Sequence, residues 1–411
     1  MITELLNGMT SAKAIELEDK YGAHNYHPLP VVLSKGEGVF VFDVEGKRYF
    51  DFLSAYSAVN QGHCHPRIIN AMIDQAQTLT LTSRAFYNNM LGVYEKYITD
   101  FFGYDKVLPM NSGAEADETA LKLCRKWAYK VKGIAEGEAK IIVCANNFHG
   151  RTITIISMST DPDSFAGFGP YTPGFVVIPY NDIPALEAAL ADKNVAGFLV
   201  EPIQGEAGVF VPDAGYLSKA FELCKKNTVL FIADEVQTGI ARTGKLLACD
   251  HEGVKPDILI LGKALSGGTM PVSAVLANDE IMLTIKPGEH GSTFGGNPLA
   301  CRVAMEALQV IKDEKLDENA EKIGKLFRDE MSTFNSEMIE LVRGKGLLNA
   351  IVIKPKNGKE AWDVCLKMKE LGLLAKPTHQ HIIRFAPPLV IDETQMREAI
   401  EIIKTAIKSF E

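Results

Sequence analysis

A lysine and an aspartate in this sequence each stand directly after an apolar run. The run in TVLFIADEVQTG (228–239) ends at Asp234, and the run in DILILGKALSGG (257–268) leads to Lys263. A partly buried lysine has a lowered pKa and can act as an amine nucleophile, although it can also snorkel to water or neutralise a carboxylate. Taken alone, Asp234 is better interpreted as a cap of the following helix. Together the two residues suit pyridoxal phosphate, whose aldehyde takes a lysine and whose ring nitrogen takes a carboxylate.

The segment MNSGAEADETA (110–120) offers a place for the phosphate of such a cofactor. It places Ser112, Gly113 and Ala114 at the start of a long helical pattern, where free backbone N–H groups bind anions. An ordinary capped helix start has the same sequence pattern. No G-x-G-x-x-G motif opens a helix, so the sequence gives little support to nucleotide binding.

Two short segments carry pairs of histidines, GHCHP (62–66) and THQH (378–381). Neither is accompanied by further ligands at a spacing typical of a metal site. We therefore predict structural roles for these histidines and no metal.

The elements that position these residues alternate between β-branched runs and helical patterns. The predicted strands are KIIVCA (140–145), FVVIPY (175–180), AGFLVE (196–201), VLFIAD (229–234), DILILG (257–262) and VSAVLA (272–277). Continuous apolar strands that alternate with helices predict an α/β fold with a mostly parallel central sheet covered on both faces. Ligands of such sheets bind at the carboxyl ends of the strands, so Asp234 and Lys263 are predicted to lie on the same rim.

The two ends of the chain have a different pattern. The alternating segment 38–53 turns at Glu45-Gly46 and predicts a hairpin. After about residue 300, amphipathic helices mix with short strands, which predicts a smaller α+β domain. We predict an N-terminal segment (1–56), a large cofactor-binding domain (57–314) and a small C-terminal domain (315–411).

Composition excludes several classes of function. The 411 residues carry a net charge of −9 without a basic run, which argues against nucleic acid as a partner. No segment reaches the roughly 18 consecutive apolar residues of a membrane span. The start of the chain is acidic rather than basic, and the seven cysteines include no C-x-x-C, so the cytoplasm is the predicted compartment.

Longer motifs carry a resemblance that covers nearly the whole chain. They are LFIADEVQTGIARTGK (230–245), PDILILGKALSGG (256–268), MNSGAEADETALKLCRKW (110–127), NNFHGRT (146–152), VEPIQGEAGV (200–209) and HGSTFGGNPLAC (290–301). In this order they resemble the class III pyridoxal-phosphate aminotransferases of fold type I. The segments 21–33 and 51–66 resemble the subgroup that acts on ornithine.

The resemblance implies a role for each cofactor residue. Lys263 would form the Schiff base and Asp234 would face the pyridine nitrogen. Phe148 and Val236 would flank the ring, and Gln237 would bond its hydroxyl. Ser112, Gly113 and Ala114 would hold the phosphate, and Thr293 would reach the phosphate of a neighbouring subunit, so a homodimer with shared active sites is implied.

The same resemblance implies the substrates, an amino acid and a 2-oxo acid. Tyr26 and Arg151 would surround the α-carboxylate of ornithine, and Tyr56 would shape the pocket. Glu206 would mask Arg384 until a dicarboxylate arrives, although a plain structural ion pair is the alternative. The implied reaction moves the δ-amino group of ornithine to 2-oxoglutarate by a ping-pong mechanism.

Related activities compete with this prediction. The class also contains acetylornithine and 4-aminobutyrate aminotransferases, and the second of these carries an apolar residue where Tyr56 stands. An aminomutase of the same fold and a non-catalytic relative are further alternatives. The sequence IARTG in place of the commoner GLGRTG, and Glu289 near the cofactor loop, depart from the family pattern without touching a named catalytic position.

Overall fold

The computed structural model describes residues 6–411, and its strands and helices alternate along the chain. The strands are β1 Leu33–Glu37, β2 Phe40–Asp43, β3 Arg48–Asp51, β4 Lys106–Met110, β5 Lys140–Cys144, β6 Phe175–Ile178, β7 Val195–Val200, β8 Leu230–Asp234, β9 Ile258–Leu261, β10 Ser273–Ala277, β11 Ile339–Lys345, β12 Leu348–Ile353, β13 Leu373–Leu374, β14 Lys376–Thr378 and β15 Ile382–Phe385. The helices of seven or more residues are α1 Ser11–Tyr21, α2 Pro66–Ala76, α3 Leu91–Phe102, α4 Gly113–Trp127, α5 Ile183–Ala189, α6 Tyr216–Lys226, α7 Pro298–Asp313, α8 Leu316–Thr333, α9 Ala361–Leu371 and α10 Glu393–Lys408.

A seven-stranded sheet in the order β4-β10-β9-β8-β7-β5-β6 forms the centre of the molecule. The pairs among β9, β8, β7, β5 and β6 are parallel, whereas β10 runs antiparallel to both β9 and β4. All six strands predicted from apolar runs are present, with ends that differ by one or two residues.

Both faces of this sheet are covered, which is why its strands show no polar alternation. Alternate residues of β8 belong to different cores: Ile232 packs with α4 on one face, and Phe231 packs with α5 and α6 on the other. Each of these two side chains is 0% exposed. The predicted mostly parallel, doubly covered sheet is therefore confirmed.

Two smaller sheets complete the fold. The predicted hairpin is β2 and β3, joined through Glu45 and Gly46, and β3 also pairs in parallel with β13. Strands β11, β12, β15 and β14 form the sheet of the C-terminal part. The N-terminal strands are thus bonded to residues 373–374 of the segment that we predicted as a separate small domain, and the three-part division stays a prediction.

The site residues come from the connections at the carboxyl ends of the parallel strands. Asp234 is the last residue of β8, and Lys263 stands two residues after the end of β9. Helix α4 begins at Gly113, after the N-cap residue Ser112. Within residues 6–411, no helix is long and apolar enough to cross a membrane.

Candidate active site

Lys263 and Asp234 line the same cavity, of ≈ 180 Å³, at the carboxyl ends of the parallel strands. Seven of the predicted cofactor residues line it: Gly113, Ala114, Phe148, Asp234, Val236, Gln237 and Lys263. A larger cavity of ≈ 590 Å³ lies between α1 and the segment that follows it, and it contains neither Asp234 nor Lys263. The predicted lysine and aspartate are therefore together in the smaller cavity.

The carboxylate of Asp234 is held at both of its oxygens. The Val236 N–H donates to Oδ1 at 2.9 Å, and the distance from His149 Nδ1 to Oδ2 is 2.6 Å. Burial alone lowers the pKa of His149, but the hydrogen bond and the charge of Asp234 raise this pKa above its ordinary value overall. Asp234 thus has a fixed orientation, with the His149 ring bonded to one carboxylate oxygen and the Val236 N–H bonded to the other.

Lys263 begins a short 3₁₀ turn, Lys263–Ser266, with a φ of +44°. Burial lowers the pKa of its amine, and the negative charge of Asp234 offsets part of this effect. A lowered pKa increases the fraction of neutral amine at neutral pH, which is the form that can attack a carbonyl carbon or accept a proton.

At the start of α4, only some of the backbone N–H groups are free to bind a ligand. Ser112 forms a capping box with Glu115: the Ser112 N–H donates to Glu115 Oε2 at 2.9 Å, and the Glu115 N–H donates to Ser112 Oγ at 3.2 Å. The N–H groups of Gly113 and Ala114 belong to the first turn, which has no intrahelical acceptors. Gly113 also faces Val236, whose Cγ1 would lie 3.1 Å from any β-carbon at residue 113. Of the three predicted phosphate residues, Gly113 and Ala114 line the cavity.

Gln237 provides a test of whether the cavity fits the cofactor. Its side-chain oxygen is buried without a hydrogen-bond partner in residues 6–411, although most buried polar atoms are paired. A ring hydroxyl is a donor that satisfies this oxygen. Gly205 lies against the same amide, and a β-carbon there would overlap Gln237 Oε1. The cavity residues therefore fit pyridoxal phosphate.

Arg384 lies on β15 with its side chain 6% exposed, and its Nη1 is 2.9 Å from Glu206 Oε2. The Glu206 side chain is 35% exposed, so the carboxylate is the partner with access to solvent. The Tyr56 ring also lies against this guanidinium, with its centroid 4.9 Å from Arg384 Cζ. The predicted Glu206–Arg384 pair is present, and Arg384 Nε remains buried without a partner among the described residues.

The remaining predicted site residues lie farther out. Arg151 is exposed, has its guanidinium 5.7 Å from the Phe148 ring, and lines a neighbouring cavity of ≈ 230 Å³ together with Glu206. Tyr26 is 73% exposed and lines the larger cavity rather than the one that contains Lys263. Thr293 is exposed in the 291–294 loop and lines none of these cavities.

Three buried groups at the cavity were not predicted as site residues: Asp117, His149 and Glu201. Burial raises the pKa of Asp117 well above its ordinary value and that of Glu201 to about 7. The Phe148 N–H donates to Glu201 Oε1 at 2.8 Å. Glu201 ends the predicted strand AGFLVE and His149 lies in the motif NNFHGRT, but only the tertiary structure brings them to the cavity of Asp234.

The histidines of GHCHP have carboxylate partners. His63 Nε2 lies 2.7 Å from Asp51 Oδ2, and His65 Nε2 lies 2.9 Å from Glu314 Oε1. Each ring therefore has one nitrogen bonded to a protein carboxylate, and His65 Nδ1 is buried without a partner in residues 6–411.

Comparison with known proteins gives consistent matches along the chain. The family model "Aminotransferase class-III" matches residues 21–407. A relative from Drosophila ananassae named "Ornithine aminotransferase, mitochondrial" is 66% identical over 98% of this chain and 93% of its own length.

Solved structures give the same result. A structure of ornithine aminotransferase from Toxoplasma gondii, with partial occupancy of PLP at its active site, has a TM-score of 0.96 and 52% identity over 98% of this chain and 95% of that one. A crystal structure described as acetylornithine aminotransferase, from Elizabethkingia anophelis, has a TM-score of 0.90 and 63% identity, covering 98% and 100% of the two chains. The resemblance seen in the motifs is thereby confirmed over the full fold, and the chain belongs to the class III aminotransferases, enzymes that use pyridoxal phosphate.

Proposed function

We propose that this enzyme transfers the δ-amino group of L-ornithine to 2-oxoglutarate. The products are glutamate and glutamate 5-semialdehyde, which cyclises to pyrroline-5-carboxylate. The observation that carries the proposal is the buried Arg384, which is paired with Glu206 and lies against Tyr56. The names of the relatives, at up to 66% identity, support the same donor.

The paired arginine fits the need of one pocket to accept two different substrates. Ornithine presents an amine at its distal end, whereas glutamate and 2-oxoglutarate carry carboxylates at both ends. With Glu206 in place, Arg384 does not attract the α-carboxylate of ornithine, so the δ-amine is the group that reaches Lys263. When Glu206 moves towards solvent, Arg384 binds the second carboxylate of the oxo acid.

The cavity residues hold the cofactor in this proposal. Gly113 and Ala114 would donate backbone N–H groups to its phosphate, Phe148 and Val236 would flank the ring, and Gln237 would bond the ring hydroxyl. Bound pyridoxal phosphate supplies a carbonyl carbon that takes up the amino group and a protonated ring that withdraws electrons from the reacting carbon.

Two side chains, those of Lys263 and Asp234, control the protons of the reaction. The neutral Lys263 amine would accept a proton from the substrate δ-carbon and give it back later in the transfer, so that it acts as general base and then as general acid. Asp234, fixed by Val236 and His149, keeps the ring nitrogen protonated. Arg151 and Tyr26 bind the α-carboxylate. The same groups then run the reaction in reverse on the oxo acid, which gives a ping-pong cycle.

An amino-donor panel with 2-oxoglutarate tests the proposal. Ornithine, N-acetylornithine and 4-aminobutyrate are supplied in turn, and the cyclised product is trapped. Turnover of ornithine with little from the others supports the proposal, and preference for another donor refutes it. Turnover without 2-oxoglutarate would indicate an aminomutase, and Lys263→Ala should be inactive in every assay.

Acetylornithine is the second candidate donor because the Elizabethkingia anophelis structure at 63% identity carries that name. Acetylation removes the charge of the α-amine but leaves the α-carboxylate and the δ-amine. The Glu206–Arg384 pair therefore does not separate the two donors, and the panel decides between them.

We also propose a homodimer in which Thr293 of each chain reaches the phosphate of its neighbour. Exposed aromatic side chains support an interface. Phe294, which follows Thr293, is 56% exposed, and elsewhere on the surface Phe86 is 73% exposed and Tyr87 fully exposed. Sedimentation of the holoenzyme gives the oligomeric state, and a monomer at micromolar concentration contradicts the proposal.

The cytoplasmic location remains a prediction of the sequence. The Drosophila and Rattus relatives are named mitochondrial. Fractionation of the source cells with an antibody against this chain distinguishes the two compartments.

A further inference from the structure

Residues Ser54–Ser57 form a turn in the left-handed region of backbone conformation. Their φ angles are +48°, +47°, +61° and +72°, and none of the four residues is glycine. L-amino acids visit this region as single residues, because the β-carbon then approaches the following carbonyl oxygen. Four in succession persist only where the surrounding structure holds them.

The side chain that holds this turn is Asp51. Its Oδ1 accepts hydrogen bonds from the N–H groups of Leu53 and Ser54, both at 2.9 Å. The hydroxyls of Ser54 and Ser57 are buried without partners in the described part of the chain, so they do not support the turn. The Ala58 N–H closes it by donating to the Ser54 carbonyl at 2.8 Å.

His63 fixes the rotation of the Asp51 carboxylate. Its Nε2 lies 2.7 Å from Asp51 Oδ2, with side-chain exposures of 21% and 11%. Gly36 leaves the room for this ring, since a β-carbon at residue 36 would lie 2.8 Å from His63 Cγ. The carboxylate is therefore bound at both oxygens, one towards His63 and one towards the turn.

The turn carries Tyr56, whose ring lies against the Arg384 guanidinium at 4.9 Å. The chain just before the turn is bonded to the end of β15, because the Ala386 N–H donates to the Phe52 carbonyl at 2.8 Å. The segments that carry Tyr56 and Arg384 are thus hydrogen-bonded to each other, and the conformation of the left-handed turn sets the position of the Tyr56 ring relative to the guanidinium.

We propose that Asp51, supported by His63, is a positioning residue for substrate recognition: it holds the strained turn that keeps Tyr56 against Arg384. The inference rests on the proposed function, in which Arg384 binds the second carboxylate of the oxo acid. Within residues 6–411, Glu206 is the only carboxylate paired with Arg384, and in the proposed function it moves away. The Tyr56 ring then limits the positions of the guanidinium.

The experiment measures binding of glutarate to the holoenzyme by calorimetry. Glutarate has two carboxylates and neither an amino nor an oxo group, so it binds without reacting. Asp51→Ala should weaken binding about threefold to thirtyfold, the range spanned by the loss of one cation–π contact. Asp51→Asn retains an acceptor for Leu53 and Ser54 and should stay close to the wild type.

A rescue variant separates positioning from general damage. Ala55 is exposed and has a φ of +47°, so Ala55→Gly lowers the cost of the turn without removing a contact of the core. Added to Asp51→Ala, it should restore part of the lost affinity.

Asp43→Ala is the matched control. Asp43 lies in the same sheet, is 8% exposed, and accepts from the N–H groups of Glu45 and Lys47, but its turn carries no site residue. It should lower the melting temperature and leave glutarate affinity unchanged.

Specific outcomes overturn the inference. Unchanged glutarate affinity in Asp51→Ala, or equal losses in Asp51→Ala and Asp43→Ala, would refute it. If Asp51→Ala does not fold, His63→Ala takes its place, and unchanged affinity in that variant has the same meaning. Failure of the proposed function gives a different result. If the wild type binds glutarate but does not use ornithine as amino donor, only the proposed donor is wrong.

Discussion

Replacing Glu206 by glutamine removes the charge that masks Arg384 and keeps the shape of the side chain. The pair has its two atoms 2.9 Å apart, with Arg384 6% and Glu206 35% exposed. Exposed pairs contribute about 0–1 kcal/mol, and removing one partner of a buried pair costs about 3–5 kcal/mol. A pair with one partner buried and the other a third exposed lies between these limits, at about 2 kcal/mol.

This free energy converts into a measurable change of specificity. At about 1.4 kcal/mol for each factor of ten, 2 kcal/mol corresponds to roughly 30-fold. Unmasked Arg384 competes for the α-carboxylate of ornithine, so Glu206→Gln should lower kcat/KM for ornithine about 30-fold relative to an ω-amine without an α-carboxylate. The assay is the δ-amino half-reaction of each donor, followed under single-turnover conditions.

Glu330→Gln is the matched control for this prediction. Glu330 has the same 35% exposure and pairs with Lys404 at 3.0 Å, on helices away from the cavity. It should leave the ratio of the two donors unchanged. If Glu206→Gln also leaves the ratio within twofold of the wild type, the pair is a structural ion pair and the masking hypothesis is wrong.

Three further predictions concern the frame around the site. Burial raises the pKa of Glu235 to about 7. The carboxyl therefore contributes to the free energy of unfolding at pH values below its ordinary pKa, and this contribution is lost as the pH rises through 7. Glu235→Gln should therefore stabilise the protein more at pH 8 than at pH 5, and the two effects on the free energy of unfolding in denaturant should differ by about 2 kcal/mol. An equal effect at both pH values contradicts this prediction. Gly205→Ala places a β-carbon on Gln237 Oε1 and should weaken cofactor binding at least about tenfold in equilibrium dialysis, whereas unchanged affinity shows that the amide can move aside. Arg242 is 0% exposed and donates to the carbonyls of Leu347 and Pro387, so Arg242→Lys should cost about 3 kcal/mol in urea unfolding, and a cost below 1 kcal/mol means that lysine reaches the same acceptors.

The central sheet was predictable because its signals are local. Each parallel strand is an uninterrupted apolar run, and the helices between them repeat apolar residues at three- and four-residue steps. The hairpin of β2 and β3 carries its own turn at Glu45-Gly46. These features depend on neighbouring residues in the chain, so the sequence contains them in full.

The joining of the two ends was not predictable in this way. Strand β3 pairs with residues 373–374, more than 300 positions away, and β13 has only two residues. A strand this short has no periodicity of its own. The left-handed turn at Ser54–Ser57 is also invisible in SAYS, because no glycine marks it and its support comes from the tertiary contacts of Asp51.

Asp234 and Glu235 illustrate which features depend on the order of residues and which depend on the tertiary structure. The order of residues by itself determined that two acids follow a doubly buried strand and that a lysine follows its neighbour. In the tertiary structure, Asp234 lines the cavity and its carboxylate is bonded to His149. The carboxylate of Glu235 accepts a hydrogen bond from the Cys249 N–H at 2.8 Å instead. The physical reason is that a strand buried on both faces gives its side chains no polar alternation, so only the packed neighbours of each carboxylate decide which one faces the ligand.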